Sequence, residues 1–233
     1  MNNLKTKEIK NAFKEAFPTT IPVLTGFLTL GIAYGILMET KGYGVLWAFL
    51  MSAICFCGSM QFAAITFLTT AFNPLGAFFL SLLVNARHLF YGLSLLQKYK
   101  GLGKIKFFLI YLLCDETFSI VSSKEPKEGI NRKYYYAFVS ILDYSYWILG
   151  TVIGSLAGGL ITFNTKGLDF ALTALFVVLF AEQMKNKKHW ILGFIGIIST
   201  VLSLAIFGAE NLVIPAMVMI IIILAAGRNR LCS

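Results

Sequence analysis

Apolar runs of about twenty residues recur along this 233-residue chain, and each is as long as a helix that crosses a bilayer. In hydrocarbon every backbone N–H and C=O must be satisfied within the protein, which leaves helices or a closed barrel. The runs are continuous rather than alternating, so the fold class is all-α: a polytopic membrane protein of seven to eight helical segments. Composition agrees, with 13% charged residues against about a quarter in a soluble domain. The net charge of +9 does not point to nucleic acid, because the Lys and Arg residues sit in short loops and at the termini, where they orient a membrane protein. Cys55, Cys57, Cys114 and Cys232 suggest no disulfide framework. No cleavable signal peptide is expected, since the first apolar run starts only near Pro18 and no small-x-small site follows it.

Residues 1–17 read as an amphipathic cytoplasmic segment, with Ile9, Phe13, Ala16 and Phe17 at helical spacing. Residues 18–226 form a single transmembrane transport domain, and 227–233 a short basic tail. The first span, about Pro18 to Met38, carries Gly31-x-x-x-Gly35, which permits close helix approach. The next run, Gly44 to Phe72, is too long for one plain span and is interrupted by Cys57-Gly58-Ser59-Met60-Gln61. A broken helix or a re-entrant pair accounts for both facts; one long tilted helix with a polar patch is the plainer alternative. Asn73-Pro74 opens the next helix, with proline in the first turn, where its missing donor costs little. A run from Phe107 to Val121, a longer one from Tyr134 to Ile161, a short one from Gly167 to Met184, and two last runs to Ala226 complete the set.

Charge complicates the topology. Eight simple spans with the N-terminus inside put the four-lysine loop Lys98–Lys106 outside, against the positive-inside rule. Making Gly44–Phe72 re-entrant brings those lysines inside, and Gly167–Met184 must then be re-entrant as well. The two segments would be counterparts in an inverted repeat, the arrangement that places a transporter's binding site. Thr40-Lys41-Gly42 and Thr165-Lys166-Gly167 are a faint echo of it.

Arg87 lies near the middle of the run Pro74–Leu96. An arginine at that depth costs roughly 2.5–3.5 kcal/mol on insertion scales, so it faces protein or a water-filled cavity and has a partner. His88, Asp115, Glu116 and Asp143 are the other ionisable residues well inside apolar runs, with Glu182 nearer an end. Asp115 and Glu116 are adjacent and project about 100° apart on a helix, so at most one of them can easily face Arg87. The guanidinium fork suits a carboxylate. Ser59, Gln61, Asn85, Arg87, Asp115 and Glu116 are the candidate substrate-binding residues. His88, Asp115, Glu116 and Asp143 are candidates for a coupling proton. A buried structural ion pair is the plain alternative for Arg87.

Other chemistries fit less well. A metal site from Cys55, Cys57, His88, Cys114 and Asp115, as in a metal-cation transporter, would draw on separate helices with no diagnostic spacing. No metal or other cofactor is expected. A Ser59–His88 hydrolase lacks the second glycine of a nucleophile elbow. There is no P-loop, so the chain does not hydrolyse ATP through that motif. The expected class is a secondary transporter rather than an enzyme; an accessory membrane subunit is the competing class.

Pro18-x3-Pro22, Gly58-Ser59-Met60-Gln61-Phe62, Asn85-Ala86-Arg87-His88-x2-Tyr91-Gly92 and Asp115-Glu116-Thr117-Phe118 occur in that order. Together they resemble the AzlC family, the large subunits of branched-chain amino acid exporters, the YgaZ type among them. The resemblance implies a multi-pass inner-membrane exporter of leucine, isoleucine and valine, with methionine as a further substrate. It also implies a small, separately encoded membrane subunit of the AzlD type.

Overall fold

A computed structural model describes residues 2–69, 73–160, 177, 180, 181, 184, 190–208 and 212–231. Among these it is helical, without strands, and forms two compact units: Met1–Phe72 with Asn85–Thr165, and Asn73–Val84 with Lys166–Ser233. The first unit is built on α1 (Asn2–Thr40) and α7 (Arg132–Leu160). Phe13 meets Phe138, Thr20 meets Tyr146, and Ile32 meets Gly154, so the two helices run parallel. Small residues set their separation. A Cβ on Gly31 would lie 3.0 Å from the Trp147 carbonyl, one on Gly35 would collide with that of Thr151, and one on Gly154 with that of Ile32. The backbones therefore touch, as in small-xxx-small membrane packing. Gly150, Gly154 and Gly158 are all committed to this contact within the chain.

The segment 2–17 is not a separate surface helix. It continues into the first span through Pro18 and Pro22, and Ala12 and Ala16 are fully buried in the core. At about 1.5 Å per residue, α1 is roughly 58 Å long, nearly twice a hydrocarbon core. Its first turns pair with the loop before α7, through Glu15–Lys127 and Glu8–Asn131.

The run Gly44–Phe72 is broken, as its polar interruption suggested. α2 (Val45–Ile54) and α3 (Gly58–Thr69) flank Cys55–Cys57, and at about 15 and 18 Å each reaches only mid-membrane. The Tyr43 hydroxyl donates to the Leu68 carbonyl (2.7 Å), and Gln61 Nε2 to Ser52 Oγ (3.0 Å). α3 therefore returns alongside α2 and ends where α2 began: the segment is a re-entrant hairpin. Its tip residue Phe56 has φ of +36°, a conformation that costs a side-chain-bearing residue about 1–3 kcal/mol and persists only when its surroundings impose it. Here Phe56 is buried edge-on against Tyr144, centroids 5.0 Å apart.

α4 (Pro74–Leu95) follows. Phe107–Val121, read from sequence as one run, is also broken: α5 (Ile105–Tyr111) and α6 (Asp115–Ser123) flank Leu112–Cys114. Lys98 closes its mouth, donating to the carbonyls of Val121 (2.7 Å) and Ser122 (2.9 Å) and pairing with Glu125 (3.1 Å). At its tip the Tyr111 hydroxyl lies 2.9 and 2.8 Å from the carbonyls of Ala53 and Ile54. Two hairpins thus enter from opposite ends and meet tip to tip. The second one settles the side of the next basic loop. Because α5–α6 returns to the end it left, the N-terminus, Lys98–Lys106 and Lys124–Lys133 all share one end, which the positive-inside rule assigns to the cytoplasm.

In the second unit α8 (Trp190–Phe207) and α9 (Val213–Leu231) pack together, with Ser203 Oγ 3.3 Å from the Met219 sulfur. α9 runs on through most of the expected basic tail. α1, α4, α7 and α8 contain stretches long and apolar enough to cross a membrane. The expected re-entrant segment Gly167–Met184, the loop Lys185–Lys188, Glu182 and the Thr165-Lys166-Gly167 echo lie largely or wholly outside the described residues, and with them the proposed second half of an inverted repeat.

Candidate functional site

Where the hairpin tips meet, Arg87 reaches across from α4. Its Nη1 is 2.6 Å from Asp115 Oδ2, and its Nη2 donates to Ser59 Oγ at 2.8 Å. Asp115 opens α6, and Ser59 is the second residue of α3. Both partners therefore sit in the first turn of a half-helix, where unsatisfied N–H groups and the helix dipole favour negative charge. Asp115 and the guanidinium meet at two such helix ends, and Glu116 acts on both electrostatically from the next position of α6. The pair is not sealed: the Arg87 and Asp115 side chains are 39% and 35% exposed. Arg87 Nε and Asp115 Oδ1 have no hydrogen-bond partner among the described residues.

Asn85 adjoins this centre, with its Oδ1 2.7 Å from Cys57 Sγ at the tip of α2–α3. His88 is turned back on its own helix, its Nδ1 3.3 Å from the Asn85 carbonyl and its ring against Tyr91. Tyr91 in turn stacks on Phe118 with centroids 4.3 Å apart, tying α4 to α6.

Gln61 belongs to another network. It is 1% exposed. Its Oε1 accepts from Trp147 Nε1 (3.0 Å) and the Cys57 N–H (3.3 Å), while its Nε2 donates to Ser52, which donates on to Thr151. It fastens the α2–α3 hairpin to α7. Asp143 marks a third place: it is fully buried on α7, and its Oδ2 accepts from Thr117 Oγ1 at 2.8 Å. Glu116 stands one residue before that threonine, half-buried.

Of the residues read from sequence, Ser59, Asn85, Arg87 and Asp115 come together, Glu116 and Asp143 flank them, and Gln61 and His88 point elsewhere. Thr117 and Cys57 were missed as participants. Both lie inside conspicuous motifs, but their partners come from distant helices, which spacing along the chain cannot reveal. Among the described residues no three His, Cys, Asp or Glu side chains gather as a metal site, and the set Cys55, Cys57, His88, Cys114 and Asp115 is not assembled. Ser59 and His88 do not form a nucleophile–base pair.

The family model described as "AzlC protein" matches residues 22–161, a stretch that takes in both hairpins and α7. The chain belongs to the AzlC family. It is 47% identical, over 97% of its length and 89% of the relative's, to the "Branched-chain amino acid transport protein AzlC" of Bacillus subtilis. It is 39% identical over 96% of its length, and 98% of the relative's, to an "Uncharacterized membrane protein" of Helicobacter pylori. A more distant relative is the "Inner membrane protein YgaZ" of Escherichia coli, 26% identical over 76% of this chain and 75% of that one. No solved structure matches. The AzlC-family match covers every helix that contributes to the Arg87 centre, and the chain is a multi-pass membrane protein.

Proposed function

We propose that the protein is a secondary transporter that exports branched-chain amino acids, coupled to protons, in a complex with a small AzlD-type membrane subunit. The observation that carries the binding part is the Arg87 centre: a guanidinium and two half-helix N-termini converge on Asp115, an arrangement like that by which transporters with discontinuous helices hold a carboxylate. The name and the high identity of the Bacillus subtilis relative support the substrate class. The substrate's carboxylate takes the free side of the Arg87 fork and displaces Asp115, which then turns to the substrate's ammonium. The Arg87–Asp115 pair is thus an internal stand-in for the amino acid's own two charges. Aliphatic side chains are told apart weakly, at roughly 1–3 kcal/mol per methylene, so leucine, isoleucine, valine and methionine share the route.

The test is efflux of labelled leucine from loaded cells, with and without the protein and with Arg87→Lys. Leucine efflux should depend on the protein. Arg87→Lys keeps the charge but loses the planar fork and should cut efflux at least about tenfold at unchanged abundance. Equal efflux with and without the protein sinks the transport reading. Normal efflux by Arg87→Lys removes Arg87 from the binding site.

A further inference from the structure

The transport reading leaves open which residue carries the proton, and any assignment of that residue rests on the transport reading. Asp115 is poorly placed for the task, because its charge is already matched by Arg87 at 2.6 Å. Asp143 is different. It is 0% exposed, one oxygen accepts from the Thr117 hydroxyl, and the other has no partner among the described residues. Ser140, one turn earlier on α7, is likewise fully buried with an unpartnered hydroxyl. An unsatisfied buried polar group calls for an explanation, and two on one helix face mark a place where polar atoms exchange partners.

The surroundings of Asp143 contain no compensating cation among the described residues. From α6, Glu116 and Cys114 act on it electrostatically and Thr117 touches it. On α5, Tyr111 is committed to the Ala53 and Ile54 carbonyls. The helix α2 has no titratable side chain. On α1, Glu15 is paired with Lys127 and Glu39 accepts from Ser155 at the far end of α7. Arg87 is bound to Asp115 and Ser59. A carboxylate here would bring a charge with one hydrogen bond and no counter-ion, whereas a carboxylic acid brings none.

We propose that Asp143 is the proton-binding residue of transport, linked through Thr117 to the Arg87–Asp115 pair. The linkage is short and mechanical. Thr117 and Asp115 belong to the same first turn of α6, a nine-residue helix that begins at a break. When Asp143 takes a proton, its bond to Thr117 exchanges a charged acceptor for a neutral one and slackens. The turn that positions Asp115 relaxes with it, and Asp115 closes on Arg87 and competes the substrate off. When the proton leaves on the other side, the turn is drawn back and Arg87 is released to a substrate carboxylate, so proton and substrate cross in opposite directions. Asp143 touches no substrate and acts through α6.

The experiment uses inside-out membrane vesicles from cells producing the full chain, with labelled leucine as probe. Two rates are compared: accumulation driven by an interior-acid gradient, and exchange of internal for external leucine with no gradient. Asp143→Asn offers Thr117 an amide oxygen, a stronger acceptor than a protonated carboxyl, which keeps the turn drawn back, and it cannot shuttle a proton. It should abolish gradient-driven accumulation while exchange stays within about threefold of wild type, and Asp143→Glu should restore part of the accumulation. Should Asp143→Asn fail to fold, a hydrophobic carbodiimide applied to wild-type vesicles gives the answer. It should block accumulation before exchange, with the adduct on Asp143. Accumulation by Asp143→Asn at the wild-type rate, loss of exchange together with accumulation at normal abundance, or an adduct confined to Asp115 or Glu116 would each overturn the assignment. Wild-type vesicles that exchange leucine but ignore the gradient overturn it too, and leave the transport reading standing. Vesicles that do neither remove both.

Discussion

The two hairpins are alike in outline and opposite in what holds them. The α2–α3 hairpin is fixed by neutral, buried hydrogen bonds: Gln61 to Trp147 and Ser52, and Ser52 to Thr151. The α5–α6 hairpin has one buried bond, Thr117 to Asp143, and is otherwise closed by charges that water reaches, with Arg87–Asp115 at its tip and Lys98–Glu125 at its mouth. A fully satisfied buried network specifies one arrangement, because each bond broken there strands a polar group. Partly exposed ion pairs contribute little net stability and exchange partners readily. On the proposed function, the contrast assigns α2–α3 as the fixed wall of the substrate centre and α5–α6 as the part that moves.

The comparison breaks outright if the hairpins do not enter from opposite sides. Single cysteines at Gly42 and Gly101, in a cysteine-free background, should respond in an all-or-none manner to an impermeant thiol reagent applied to intact cells. Position 42 should label and position 101 should not; labelling at 101 would restore a plain span through residues 44–72. A large but graded effect comes next. Gln61→Leu leaves the Trp147 N–H, the Cys57 N–H and Ser52 without their partner, a loss on the order of 2–5 kcal/mol. The detergent-solubilised protein should melt at least about 5 °C lower. Asp115→Asn should shift that melting point far less, because its side chain and that of Arg87 are more than a third exposed. Equal losses from the two substitutions would erase the distinction between wall and mover.

The smallest effect belongs to Glu125, half-exposed at the mouth of α5–α6. Burial nudges its carboxyl upward, but hydrogen bonds from Lys98 and Tyr136 and the charges of Lys98 and Arg132 outweigh this and hold it below its ordinary value. A lowered carboxyl stabilises the fold above the unfolded-state value and ceases to as pH falls through its own. Wild type should therefore be slightly more stable than Glu125→Gln near neutrality, by less than about 1 kcal/mol. The margin should close on acidification below the usual carboxyl range, and a constant margin would detach Glu125 from the clasp.

Much of this was legible in the chain. Arg87 demanded an acid, and the adjacent Asp115 and Glu116 supplied the choice. Gly58, Ser59 and Gln61 betrayed the first break, because glycine and polar side chains disturb an apolar helix. The second break was invisible, since Leu112-Leu113-Cys114 contains no glycine, proline or charge. It is imposed by what those residues pack against, with Leu112 and Leu113 buried. The sharing of roles was equally hidden. Gln61 and Ser59 are two residues apart and point into different networks, one structural and one at the ion pair, because successive helix positions face different neighbours. The unbroken course of α1 through Pro18 and Pro22 also ran against expectation, since buried alanines on the projecting turns hold it to α7.

The parallel seam of α1 and α7 has a consequence for how the chain is made. Gly31 reaches the bilayer roughly 120 residues before Gly150, its partner in the seam. At synthesis rates of about 5–20 residues per second, α1 waits on the order of 6–24 s with a bare glycine groove. Two hairpins must be threaded from opposite sides during that interval, and whatever occupies the groove meanwhile must yield when α7 arrives. Biogenesis of this protein is therefore a matter of timing, and slowing translation between residues 44 and 131 lengthens the period in which α1 is open to the wrong partner.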